Sequence, residues 1–98
     1  MTQSLLNKLK DFFSTQPVEK AWLFGSYSRG EETENSDIDI LVSFDKNAKI
    51  SLLRHAAMIV DLEDLLRCPV DLVNEKSLFP EVRKEVELDK ILIYERKA

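Results

Sequence analysis

Apolar residues recur near the N-terminus as Leu5, Leu6, Leu9, Phe12 and Phe13, the i, i+1, i+4, i+7, i+8 spacing of one helical face. This predicts an amphipathic helix that closes at Pro17, because the residue before a proline is pushed out of the helical region. VEKAWLF, residues 18–24, then reads as a short strand rich in aromatic and aliphatic side chains. GSYSRGEE, residues 25–32, holds both glycines of the chain and reads as a turn opening into a short helix; TENS, 33–36, is loop. In DIDILVSF, residues 37–44, the alternation is strict. Asp37, Asp39, Leu41 and Ser43 point to one side, and Ile38, Ile40, Val42 and Phe44 to the other.

After a DKNAK loop, Ser51 is placed to cap a long helix from about Leu52 to Arg67. Its apolar positions include Leu52, Leu53, Ala56, Ile59, Val60 and Leu66, expected chiefly in the core, with any exposed remainder the natural partner surface. Pro69 stops this helix, and PVDLV reads as a third strand. Ser77 is expected to cap a further helix running to about Leu88, with Pro80 tolerated in its first turn. KILIYE reads as a last strand at a sheet edge. Helices and strands therefore interleave through residues 1–98, which predicts one α/β (α+β) domain, a small mixed sheet flanked by helices.

Composition narrows the class. With 44% apolar and 33% charged residues, the chain is expected to fold rather than to remain disordered. No apolar run approaches the roughly 20 residues that span a bilayer, and the N-terminus lacks a signal-peptide pattern. The lone Cys68 has no internal disulfide partner, which suits a reducing cytoplasm. A net charge of −4 with scattered basic residues argues against extended nucleic-acid binding. A phosphorylated ligand carried with a metal, or an acidic site docking a basic protein, stays open.

The candidate chemistry begins with Asp37 and Asp39, which share a strand face about 6.6 Å apart along the chain. Two such charges at 4 Å repel by about 4 kcal/mol at an effective dielectric of 20. A divalent metal converts that repulsion into coordination, and magnesium suits a site with few carboxylates and phosphate oxygens. Asp71 in PVDLV, flanked by Val70 and Leu72 on the opposite face, would join the pair if its strand lies beside theirs. Three carboxylates can hold two metals across an in-line displacement. Gly25 permits close backbone approach to a ligand, Ser26 adds a hydroxyl, turn amides can face an anion, and Arg29 can bring positive charge to phosphate. No Walker loop or G-x-G-x-x-G is present.

GSYSRG followed by SDIDILV, a Gly-Ser, ten residues and an Asp-x-Asp, resembles the signature of the DNA polymerase β-like nucleotidyltransferases. The LFGSYSRGE form and the later PVDLV are most similar to the minimal nucleotidyltransferase (MNT) family, over nearly the whole chain. That resemblance implies a polymerase β-like palm fold. It implies triphosphate binding by Gly25 and Ser26, magnesium on Asp37 and Asp39, and a metal site completed by Asp71, which also helps activate the acceptor. It implies AMP transfer from ATP with loss of pyrophosphate. It further implies an antitoxin that adenylylates a tyrosine of a HEPN-domain toxin. A non-catalytic antitoxin of the same fold, or a transferase to a small molecule or an RNA end, are the alternatives.

Blander expectations accompany these. Arg29 has a competing role in pairing with Glu31 or Glu32, and Ser26 as a helix cap. Glu31, Glu32 and Glu34 form a solvated loop, Trp22 and Phe24 are core, Tyr27 is a lesser candidate for nucleotide contact, and His55 is non-catalytic. Cys68 is a small core or helix-end residue. Homo- or hetero-oligomers are both compatible with the sequence.

Overall fold

In the computed structural model, which describes residues 2–97, four helices and four strands follow the expected order. Helix α1 (Gln3–Ser14) starts where Thr2 accepts a hydrogen bond from the Leu5 amide. It is followed by β1 (Val18–Phe24), the single-turn α2 (Ser26–Arg29) and β2 (Ile38–Phe44). Next come α3 (Leu52–Leu66), β3 (Val70–Asn74), a 3-10 turn at Glu75–Ser77, α4 (Pro80–Asp89) and β4 (Ile91–Glu95). The sheet order is β3-β2-β1-β4, so β4 is an edge strand as the sequence implies. β1 pairs antiparallel with both β2 and β4, and β2 pairs parallel with β3.

The two faces of the sheet have different tenants. Ala21, Leu23, Ile38, Ile40, Val42, Val70, Leu72 and Ile93 join Leu9 and Phe13 of α1 and Met58 and Leu62 of α3 in one buried core. The crossovers from β2 to β3 and from β3 to β4 join parallel strands but move in opposite directions across the sheet. Right-handed connections therefore put α3 and α4 on opposite faces. Val86 of α4 is accordingly buried, yet outside the main core cluster.

Three local expectations change. Ser77 does not cap α4: it ends a 3-10 turn opened by the Asn74 side chain, and α4 begins from Phe79 with Pro80 in its first turn. Proline supplies the preset φ that a capping side chain would otherwise help fix. Trp22 and Phe24 are half-buried on the second face rather than in the core, and Trp22 carries Lys90 Nζ 4.5 Å above its ring. In α3, only Met58 and Leu62 are fully buried; Leu52 and Leu53 face solvent. Ser51 does cap α3, accepting from the Arg54 amide. The helix ends at Arg67 in the left-handed region (φ 59°), two residues before Pro69.

Candidate active site

The end of the sheet at which β1 finishes and β2 and β3 begin carries the acidic residues. Asp39 stands opposite Phe24 in the antiparallel ladder and opposite Asp71 in the parallel one. Because Val70 and Leu72 are drawn into the core, Asp71 is turned to the second face, beside Asp39. Asp37 lies one residue before β2, so it shares that side two positions ahead of Asp39. The structure thus brings Asp71 to the Asp37 and Asp39 pair, from which the sequence separates it by more than thirty positions.

Their environments differ. Asp37 and Asp71 are exposed, while Asp39 is half-buried. Burial pushes the Asp39 carboxyl above the usual carboxylate range, the charges of Asp71 and Asp37 push it further, and Arg29 pulls it back. Cys68 belongs to the same neighbourhood: burial raises its thiol, with Glu63 and Asp37 adding to the effect. The Tyr27 phenol is raised by burial first, then by Cys68 and Glu32, and its ring packs against the core.

Gly25 makes the approach possible. Its φ of 71° lies in the region that glycine enters without strain, and a Cβ there would collide with Asp39 Oδ2. The turn is held by Ser28, whose amide and hydroxyl both donate to the Gly25 carbonyl, at 3.1 and 2.7 Å. Ser26 opens α2, and its hydroxyl makes no hydrogen bond to another described residue. Arg29 is engaged with two carboxylates: Nε with Glu31 at 3.3 Å and Nη1 with Asp89 at 3.0 Å. The Glu31 contact was open from the sequence; Asp89, sixty residues away, carried no sequence signal. A cavity of about 160 Å³ borders this turn, lined in part by Phe24, Gly25, Val82 and Asp89. His55 lies elsewhere: its Nε2 contacts the Leu72 carbonyl at 2.8 Å and its ring edges Phe44.

Among the described residues, no three His, Cys, Asp or Glu side chains close on one point as a ready-made metal cage. Magnesium does not need one, since it binds through one or two carboxylates and completes its shell with phosphate oxygens and water. A half-buried Asp39 carboxylate facing two others, beside a glycine whose missing Cβ leaves it room, fits that hard cation.

Comparison with known proteins agrees with the geometry. The sequence pattern of the polymerase beta nucleotidyltransferases matches residues 7–98. The chain is 45% identical over 69 residues to the protein adenylyltransferase MntA of Thermococcus cleftensis, covering 70% of this chain and 68% of that protein. A candidate minimal nucleotidyltransferase of known structure superposes with a TM-score of 0.76 at 34% identity, covering 91% of this chain and 89% of the other. A toxin–antitoxin crystal structure with AMP-PNP superposes with a TM-score of 0.80 at 26% identity, over 94% of this chain and 74% of that one. With its mixed four-stranded sheet, its Gly-Ser turn and this match along nearly all its length, the chain belongs to the polymerase β nucleotidyltransferases, among their minimal members.

Proposed function

We propose that this nucleotidyltransferase moves AMP from ATP to a tyrosine hydroxyl of a HEPN-domain toxin and so acts as its antitoxin. The observation that carries the reading is the register match of Asp39 with Asp71 beside Gly25. Similarity to MntA and to a toxin–antitoxin structure with AMP-PNP supports the donor and the protein acceptor.

Roles follow from position. Gly25 lets the polyphosphate approach backbone, Ser26 offers it a hydroxyl, and Arg29 lies close enough for its charge to act on the same centre. Asp37 and Asp39, with Asp71, would hold magnesium, which when bound neutralises polyphosphate charge and favours attack at the α-phosphorus. Asp71, exposed beside Asp39, would take the proton of an arriving hydroxyl as general base. The acceptor oxygen then bonds to the α-phosphorus, the bond to the bridging α–β oxygen breaks, and pyrophosphate leaves. Exposure of both Asp37 and Asp71 leaves this edge open to a protein-sized acceptor.

Incubation with MgATP labelled at the α- or the γ-phosphate tests the reading. Label on the toxin from the α-position alone is expected, and none with Asp39→Asn. Transfer of the γ-label would make the protein a kinase and end the proposal.

A further inference from the structure

Helix α3 leaves a stripe of apolar side chains uncovered. Leu52 is 90% exposed, Leu53 84% and Val60 56%, and Ala56 and Ala57 are exposed between them. Met58 and Leu62 take the inward positions, so at 100° per residue Leu53, Ala56, Ala57 and Val60 form the outward ridge. We propose that this ridge packs against the α3 of a second copy of the chain, antiparallel, about a two-fold axis level with residues 57 and 58.

The order of charges selects that occupant. Arg54 and Asp61 are seven residues apart, hence on the same border of the ridge and separated by about 10.5 Å along the helix. A two-fold axis midway between them brings Arg54 of one copy level with Asp61 of the other, and the reverse pair forms by symmetry. The same operation sets Asp64 level with Ser51, the N-cap of the facing helix, where a carboxylate meets the positive end of the helix. Lys49 lies two residues beyond that cap. None of the side chains of Lys49, Arg54, Asp61 and Asp64 forms an ion pair with another described residue within the chain. The alanines at the centre let two helix backbones come close, and the leucines at the ends supply the apolar area.

The arrangement keeps the acidic edges free. α3 runs toward Arg67 and Pro69 and so into Asp71, away from Leu52 and Leu53. An antiparallel pair therefore puts the two active edges at opposite ends, each open to an acceptor.

Sedimentation equilibrium of the whole chain between about 1 and 100 μM decides it, independently of any catalytic assay. The wild type is expected to reach twice the chain mass. Leu53→Glu should stay monomeric with an unchanged circular-dichroism spectrum and melting temperature, because the position is solvent-facing. Arg54→Asp and Asp61→Arg should each weaken association by about tenfold, and the double variant should restore it. A wild type that is monomeric throughout, a dimer that survives Leu53→Glu, or a double variant as weak as its parents overturns the proposal. So does a monomeric wild type whose binding to a different protein is lost on Leu53→Glu, which would assign the ridge to that partner.

Discussion

The most consequential residue is Asp39, because its neighbours oppose its charge. Its folded-state carboxyl sits above the unfolded value through burial, then Asp71 and Asp37. A carboxyl raised in this way contributes stability that is fully present below its unfolded value, about 3.9, and is lost as pH rises through the folded one. Asp39→Asn should therefore melt at a higher temperature than the wild type without metal, by a margin that grows as pH rises above about 4. The same variant should lose AMP transfer by about a thousandfold or more. Asp45 runs the other way: the Asn47 amide and then Arg96 lower its carboxyl, so its contribution is present at neutral pH and lost on acidification. Gly25→Ala combines backbone strain with a collision against Asp39 Oδ2. We expect it to destabilise the fold by about 1–3 kcal/mol in denaturant titration and to abolish nucleotide binding. The pairing of Gly25 with the aspartates was legible in the sequence as Gly-Ser and Asp-x-Asp. The reason for the glycine was not, since nothing linear tells which carboxylate its missing Cβ makes room for.

At the scale of elements, strands and caps were readable wherever a local rule decides. Alternation in residues 37–44 assigned the faces of β2 correctly, and Ser51 caps α3 as expected. Ser51→Ala should cost about 1 kcal/mol in chemical denaturation, as loss of an N-cap does. The misreadings have a shared cause. Apolarity alone does not say whether a side chain meets a partner element, so Leu52 and Leu53 were expected inside and are not, and Trp22 lies half-buried beneath Lys90 rather than in the core. Ser77 looked like a cap because its chemistry is right, but the chain turns there in a 3-10 bend and helix α4 is started by Pro80. That last helix buries only Val86 and is tied to the Gly-Ser turn through Arg29 and Asp89. Asp89→Asn should raise hydrogen-exchange rates in α4 more than in α3, measured on the intact chain. Equal protection of α4 in the variant would show that the tie holds nothing in place.

For the whole molecule, sequence patterns gave the class of fold and the parallel neighbourhood of β2 and β3 supplied what they lacked. Whether Asp71 meets Asp39 depends on strand order, a long-range property that no window of residues encodes; the ladder settles it by setting the two opposite each other. The proposed chemistry then predicts linkage across the molecule. A hundredfold excess of Mg–AMP-PNP over its dissociation constant should stabilise the wild type by about 2.7 kcal/mol. In calorimetry, the Asp37→Asn/Asp39→Asn variant should gain almost nothing from the same addition.

The crowded acid edge also has a bearing on how long the protein lasts. A chain that carries like charges against one another is strained at that edge, and on the proposed chemistry a cation arriving with its nucleotide would relieve it. Susceptibility to a protease should then follow the supply of magnesium and triphosphate, slowing when both are plentiful and quickening when either runs short. Timed digestion in the presence of each alone and both together would read that dependence directly, making the lifetime of this small enzyme a gauge of the energy charge around it.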